Sequence, residues 1–509
     1  MNNKRKGLIK KGYEQLKNED KLDFLLKLVD TLSRTKLNNT KVFEGLPCKH
    51  DFNTELSIRQ FLTVRVLGYS FNRAILYSIG ANKPLRCPLP KEWRIALIKQ
   101  QLQVDRLSCA LLWQGYIFIL WVYGVIQGFK SIIYLINSKK ILREYVFFYD
   151  TEKGSLPTNG NTYNIVNWYL KWKGREKNVD TIAHSAPNVS DYMYDDIKVS
   201  YIDGLPNLEG IQIWRYFFLQ AYLIFYSLFF IFIKPYSALL LNELIKLLRV
   251  DLANDKELAR DYLFNSSGPF YRPIWTYAAE DKGSRVLFYF YSTNTENFKT
   301  KAGYPIQRPR HLMSWSHYLV WDKFQTDLLK RFGHHKSTIE EVGPIWFSSS
   351  DKAIQVPLNT IAVFDVTPNN EDVYVSLGLG CEYYIPKIVN QFLDDIYLVL
   401  EKNDMLMAHK MKRTNKNKHE EYTQNLKVLH KQKKYIEIDS DAAATDLIKK
   451  TKASISMPFT STALIAKREG RPSVYYDPSG IIQKDDRSAH GVSVLTDIDE
   501  LQEWVKSID

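Results

Sequence analysis

The sequence predicts an α/β protein built from two Rossmann-type, doubly wound domains, with a helical region before them and membrane-associated helices. Three observations predict this class. A chain of 509 residues exceeds one ordinary core, so two or three domains are expected. From residue 355 onward, short apolar strands alternate with helical stretches, the pattern of a parallel sheet with crossover helices. A looser version of that alternation runs from about residue 140 to 345. In such sheets ligands sit at the carboxyl ends of the strands.

Residues 1–139 form the N-terminal helical region. Lys21-Leu-Asp-Phe-Leu-Leu-Lys-Leu-Val-Asp-Thr-Leu32 carries apolar residues at helical spacing, and residues 1–105 receive no chemical role. Two uncharged runs follow, between Arg106 and Lys130 and between Arg215 and Lys234. Spanning a bilayer takes about 20 apolar residues, so both meet or nearly meet that length. The chain between them holds Tyr145-Val-Phe-Phe-Tyr-Asp150, Val179-Asp-Thr-Ile-Ala-His184 and Ile197-Lys-Val-Ser-Tyr-Ile-Asp203. These read as strands of one sheet, and a bilayer cannot divide a sheet. Lys and Arg flank both ends of both runs, whereas positive residues should mark one side only. The expectation is two helices, 107–136 and 211–249, lying in or dipping into the inner leaflet. Two buried core helices are the plain alternative.

Residues 140–345 form the first Rossmann-like domain, assigned to the acceptor. Its later strands are Arg285–Ser292 and His311–Asp322, followed by a helix from Lys323 to Arg331. Gly343-Pro344 marks the boundary. Residues 346–509 form the second, assigned to the donor. Strands are expected at 360–366, 404–409, 435–439, 453–457 and 473–477, with helices at 385–401, 443–450 and 461–469. A basic polar insertion occupies 410–434.

The net charge of +13 implies an anionic partner. Cys48, Cys87, Cys109 and Cys381 lie far apart with no CxxC pairing. That argues against a disulfide framework or structural zinc site and fits a reducing cytoplasm. No apolar segment follows the basic Met1-Asn-Asn-Lys-Arg-Lys6, so no signal peptide is expected. The basic residues are not interleaved with aromatics in an RNA-binding pattern, so no nucleic-acid partner is expected.

The chemistry centres on Ser456-Met-Pro-Phe-Thr-Ser-Thr462. A strand ends at Met457, Pro458 and Phe459 turn, and Thr460, Ser461 and Thr462 open a helix. Their hydroxyls stand beside the unpaired N–H groups of its positive end, a setting suited to phosphate; an ordinary Ser/Thr cap is the bland alternative. His409, Lys410, Lys412 and Arg413 leave a neighbouring strand end as a candidate anion clamp. Thr367 and Asn369 follow the first strand of this half. Asp477 and His490 are candidates for ribose or base contacts. No HExxH or clustered His/Cys suggests a metal, and Asp394-Asp395 falls inside a helical pattern.

Pro458-Phe-Thr-Ser461 together with Gly470-Arg-Pro-Ser-Val-Tyr-Tyr-Asp-Pro-Ser-Gly480 resembles the bacterial polysaccharide-biosynthesis proteins named for their PFTS motif, and Lys410-Met-Lys-Arg413 is similar to their Lys-x-Lys-Arg element. More distantly the pattern resembles GT-B glycosyltransferases that use CMP-activated acidic sugars. The resemblance implies a GT-B-like fold and an inverting, metal-independent glycosyl transfer in surface polysaccharide assembly. It implies no cofactor beyond a nucleotide-sugar donor, a CMP-sugar being favoured. The acceptor would be lipid-linked or a glycan, met at the cytoplasmic face of the bacterial inner membrane. Such chemistry needs a general base from the first domain. Asp150 and His184, at expected strand ends, are the leading candidates, with Asp203 and Glu280, also expected at strand ends, behind them. Two other readings stand beside it: a CDP-polyol phosphotransferase of the teichoic-acid type, dependent on a histidine such as His409, and a non-enzymatic basic membrane scaffold.

Overall fold

Helices at the amino end cross through glycine. The computed structural model describes the chain apart from residues 1–2, 41, 43–52, 138–144, 152, 159–164, 173–178, 187, 267, 291, 294–295, 346–353, 369, 378–382, 412–418, 440–441 and 509. Helices α1 (Asn3–Asn18), α2 (Phe24–Arg34), α3 (Thr54–Arg65), α4 (Tyr69–Ala81) and α5 (Lys91–Lys99) come first. Gly12 and Gly80 let α1 and α4 touch backbone to backbone: a Cβ on Gly12 would strike the Leu76 carbonyl, and one on Gly80 the Leu8 carbonyl. The long α6 (Arg106–Asn137) follows.

The first sheet has eight strands: β1 (Tyr145–Tyr149), β2 (Thr181–His184), β3 (Tyr192–Tyr194), β4 (Ile197–Tyr201), β5 (Asp261–Ser266), β6 (Arg285–Phe290), β7 (His317–Val320) and β8 (Thr338–Glu341). Their order is β3-β4-β2-β1-β5-β6-β7-β8, parallel except for the β3–β4 pair. Strand order therefore reverses between β1 and β5. Between strands lie α7 (Ile165–Lys171), α8 (Ile211–Phe229), α9 (Pro235–Leu239), α10 (Leu241–Leu252), α11 (Trp275–Asp281) and α12 (Lys323–Arg331).

The second sheet has six parallel strands: β9 (Thr360–Phe364), β10 (Leu406–Lys410), β11 (Tyr435–Ile438), β12 (Ala453–Ser456), β13 (Ser473–Tyr476) and β14 (Ser493–Leu495). Their order is β11-β10-β9-β12-β13-β14, so the reversal falls between β9 and β12. Helices α13 (Glu371–Ser376), α14 (Pro386–Lys402), α15 (Glu420–Leu429), α16 (Ala444–Lys450), α17 (Ser461–Arg468) and α18 (Ile498–Lys506) cover both faces. Alternation along β9 explains why: Ile361 and Val363 join Phe392, Ile396 and Leu501 in one core, while Ala362 and Phe364 join Leu447, Ile448 and Ile465 in the other. Buried on both sides, β9 and β12 are wholly covered, as central parallel strands are. Both sheets are thus doubly wound, the α/β class that the sequence predicts.

Three expectations need correction. The stretch 211–249 is three helices rather than one: α8 ends at Phe229, and Pro235, which cannot continue a helix through its ring, opens α9. The expected strand His311–Asp322 shrinks to β7, because Arg310–Leu312 forms a 3-10 turn. Glu280 lies inside α11, not at a strand end.

Candidate functional site

Pro458-Phe-Thr-Ser461 stands at the reversal point of the second sheet. Met457 N–H donates to the Phe364 carbonyl (2.9 Å), so β12 leaves the sheet beside the end of β9. In open α/β sheets this crevice is where ligands bind. Pro458 O accepts from Tyr384 OH (2.7 Å), and Thr460 O accepts from Tyr475 OH (2.9 Å). Between them Phe459 holds φ at +62°, a left-handed conformation that a bulky residue adopts only under constraint. Its buried ring supplies the constraint, packing against Phe298 (5.1 Å) and Tyr475 (5.6 Å).

The hydroxyls form a relay. Ser456 Oγ lies 2.9 Å from Thr462 Oγ1, which lies 3.2 Å from Thr460 Oγ1; Thr460 Oγ1 also donates to the Met457 carbonyl (2.8 Å). Thr460 is the cap residue of α17, yet its side chain makes no capping bond. The first N–H groups of α17 thus keep their positive end free of a side-chain cap. Ser461 opens the helix, partly exposed. Across the crevice Thr367 Oγ1 is enclosed with no hydrogen-bond partner among the described residues. Lys410 ends β10 and is buried. Lys412, Arg413 and Asn369 lie outside the described residues.

Three sequence candidates on this side are committed internally. His409 is fully buried, its Nδ1 sharing a hydrogen bond with Tyr435 OH (2.8 Å) and its Nε2 lying 3.2 Å from Asp365 Oδ2. Tyr422 OH also donates to Asp365, and burial beside that carboxylate pushes the Tyr422 phenol far up. His409 therefore braces the β9–β10 strand ends from inside. Asp477 is likewise buried, accepting from Tyr383 OH (3.1 Å), Ser479 N–H (3.0 Å) and Ile482 N–H (2.8 Å). His490 Nδ1 donates to Asp322 Oδ2 (2.6 Å), a bond between the two sheets' halves.

On the first sheet Asp150 follows β1 directly, at that sheet's own reversal point, with φ at +52°. It is exposed, and partial desolvation raises its carboxyl above the ordinary value while Lys246 pulls it back. Lys246 pairs with Glu243 (3.3 Å), which also accepts from Tyr271 OH (2.7 Å). The sequence reading missed this α10 cluster, since a Glu243–Lys246 pair inside an apolar helix resembles any surface pair. His184 is fully buried, its Nδ1 accepting from Ala186 N–H (3.2 Å). Asp203 is tied to the buried Arg249 (2.6 Å), and Glu280 to the buried Arg272. Of the four base candidates, Asp150 alone is exposed at a strand-order reversal. Asp394 and Asp395 on α14 accept from Asn425 and Tyr476.

The amino-terminal helices acquire a place here. A cavity of about 540 Å³ lies between α1 and α4 and the loops that follow β9 and β10. Lys6, Lys10, Arg73, Lys387 and His419 line it, opposed by Glu371, Asp372 and Glu421. Tyr13 OH contacts Glu371 (3.5 Å) and Asn72 Nδ2 donates to the Ser376 carbonyl (2.9 Å), fastening these helices to the second sheet's α13. Among the described residues no group of three His, Cys, Asp or Glu could hold a metal ion.

Among solved structures, the chain is similar to the wall teichoic acid polymerase TagF (TM-score 0.38, 11% identity, covering 77% of this chain and 89% of that one). It is also similar to the Methanocaldococcus jannaschii UDP-GlcNAc 2-epimerase in complex with UDP-GlcNAc and UDP (0.34, 10%, 72% and 92%). A third is Medicago truncatula UGT71G1 complexed with UDP-glucose (0.37, 10%, 72% and 90%). These likenesses are too loose to transfer an activity or a ligand. No curated protein matches the chain. The family model described as polysaccharide biosynthesis PFTS motif protein matches residues 226–505, which takes in the chain from α9 into α18, the ten strands β5 to β14 and the Pro458–Ser461 turn. The chain belongs to that PFTS-motif family of polysaccharide biosynthesis.

Proposed function

We propose that this protein is a GT-B-type glycosyltransferase that moves a sugar from a nucleotide donor, a CMP-activated acidic sugar being favoured, to a lipid-linked or glycan acceptor at the inner face of the membrane. The observation that carries the reading is the strained Phe459 turn, which sets an uncapped helix start and three linked hydroxyls at the strand-order reversal of the second sheet. An anion is stabilised there by the N–H groups and helix dipole. A separate cavity, lined by Lys6, Lys10, Arg73 and Lys387 together with Glu371, Asp372 and Glu421, falls in the size range of small-molecule and cofactor sites. In this reading Thr460, Ser461, Thr462, Thr367 and Lys410, with Lys412 and Arg413, hold donor phosphate. Asp150 takes the acceptor proton, and transfer inverts the anomeric centre without a metal.

A thermal-shift panel with CMP, CDP, UDP, GDP and their sugars tests it, since ligand binding to the native state raises the melting point. Stabilisation by CMP that Ser461→Ala weakens supports the reading. No stabilisation by any nucleotide overturns it.

A further inference from the structure

Helices α6 and α8 run antiparallel. Tyr216 OH donates to Ser131 Oγ (2.9 Å), Trp121 Nε1 to Ser227 Oγ (3.1 Å), and the Trp113 ring meets Tyr236 (6.4 Å). Their inner sides rest on α9 and α10. A Cβ on Gly124 would press on Leu241 (2.9 Å), and one on Gly128 on Gln220 and on Ile245 (3.0 Å). At the start of α6, Cys109 Sγ donates to the Leu85 carbonyl (3.3 Å); near its end Leu135 is buried in the same core. The helix is held to the protein body at its start, middle and end.

The outer sides carry large apolar groups facing no protein. Leu111, Ile119, Phe129 and Ile133 on α6, with Phe218, Phe225 and Phe229 on α8, are each more than half exposed. Soluble monomers rarely leave so continuous a patch bare. The antiparallel pairing sets Arg106 and Lys234 at one end of it and Lys130 and Arg215 at the other.

We infer that the outer face of α6 and α8 lies flat in one leaflet of an anionic bilayer, inserted in the plane and not across it. Crossing would require α6 to leave the body that holds it along its length, and would put cations on both sides of the membrane. A second copy of this chain is a poorer occupant: pairing two such faces end to end sets cations against cations, whereas anionic headgroups neutralise them. The arrangement also orients the acceptor crevice, a step that rests on the proposed transfer reading. On α10, Ile245 packs under α6 while the adjacent Lys246, paired with Glu243, acts on the Asp150 carboxyl. A lipid-borne acceptor would reach Asp150 from the plane of the leaflet.

The full-length protein is floated with vesicles of phosphatidylcholine, with and without phosphatidylglycerol. Flotation that increases with phosphatidylglycerol and falls about tenfold in Phe218→Glu/Phe225→Glu is expected. Both side chains are exposed, and an unchanged melting point shows that the variant is folded. Spin labels on Leu107→Cys, Ile119→Cys and Ile133→Cys should report one common depth. A profile deepest at residue 119 and shallow at both ends would mean a crossing helix and overturn the inference. So would the absence of flotation, or a lipid-free dimer that the double variant dissociates. Nucleotide stabilisation of the double variant stays as in the parent, so failure of this inference is separable from failure of the transferase reading.

Discussion

The Phe298 ring sits 5.1 Å from that of Phe459, so a loop of the first sheet's half holds the strained turn of the second. The same loop is pinned beyond it: Lys299 N–H donates to Asp486 Oδ2 (2.7 Å), Tyr304 OH to Asp486 Oδ1 (3.1 Å), and Arg487 pairs with Glu296 (2.8 Å). The motif's geometry is therefore a property of both halves. Phe298→Ala should destabilise the protein by about 1–3 kcal/mol through lost ring packing. It should also weaken nucleotide binding several-fold, since the left-handed Phe459 loses part of what holds it. Calorimetric unfolding and nucleotide titration on one sample check both effects. Unchanged nucleotide affinity would mean that the turn holds without Phe298.

Thr462 links Ser456 to Thr460. Thr462→Val keeps the shape and removes both contacts, at a cost of about 1 kcal/mol in stability. Ser461 stands outside this relay, so Ser461→Ala should leave stability nearly unchanged and act on nucleotide affinity alone. Thermal melts with and without CMP separate the two variants.

Asp150 offers a pH signature. Its carboxyl is raised by desolvation and lowered by Lys246. A base must be ionised, so activity falls as pH drops through that raised value, above the usual aspartate range. Lys246→Met removes the lowering charge and should move this acid limb to higher pH. Asp150→Asn should reduce kcat by about a hundredfold or more while KM changes little. A pH–rate profile that ignores Lys246→Met would remove Asp150 from the role.

His409→Ala should behave as a core mutation. It removes the Tyr435 bond and leaves the Asp365 carboxylate buried with less company, costing about 1–3 kcal/mol. Nucleotide affinity, measured well below the melting point, should hold within about twofold. A strong loss of binding in a stable His409→Ala protein would return His409 to the site.

The sequence makes some elements legible and hides others for physical reasons. β9 stands out because a strand buried on both faces reads as an apolar run, and β12 and α17 stand out because Pro458 and Gly470 punctuate them. β5, the neighbour of β1, escapes such a reading. It begins at Asp261, whose charge is buried only because Arg285 and Tyr169 hold it from 24 and 92 residues away. The site residues divide similarly. His409, His184 and Asp477 look like strand-end polar groups, and residue type does not tell which way a strand-end side chain points. His409's partners Tyr435 and Asp365 become neighbours only when the strands are in register. The α10 cluster beside Asp150 and the cations of α1 and α4 over the second sheet are tertiary facts with no local signature.

The packing of α6 bears on how the chain is made. Its inner side rests on α8, α9 and α10, whose first residue, Ile211, follows Asn137 only after a long stretch of sheet. At roughly 5–20 residues per second, translation leaves α6 without these partners for an interval on the order of ten seconds. An apolar helix that emerges so far ahead of its shelter is an early target for chaperones or for the membrane itself, so the nascent protein can meet the bilayer before its first sheet has closed.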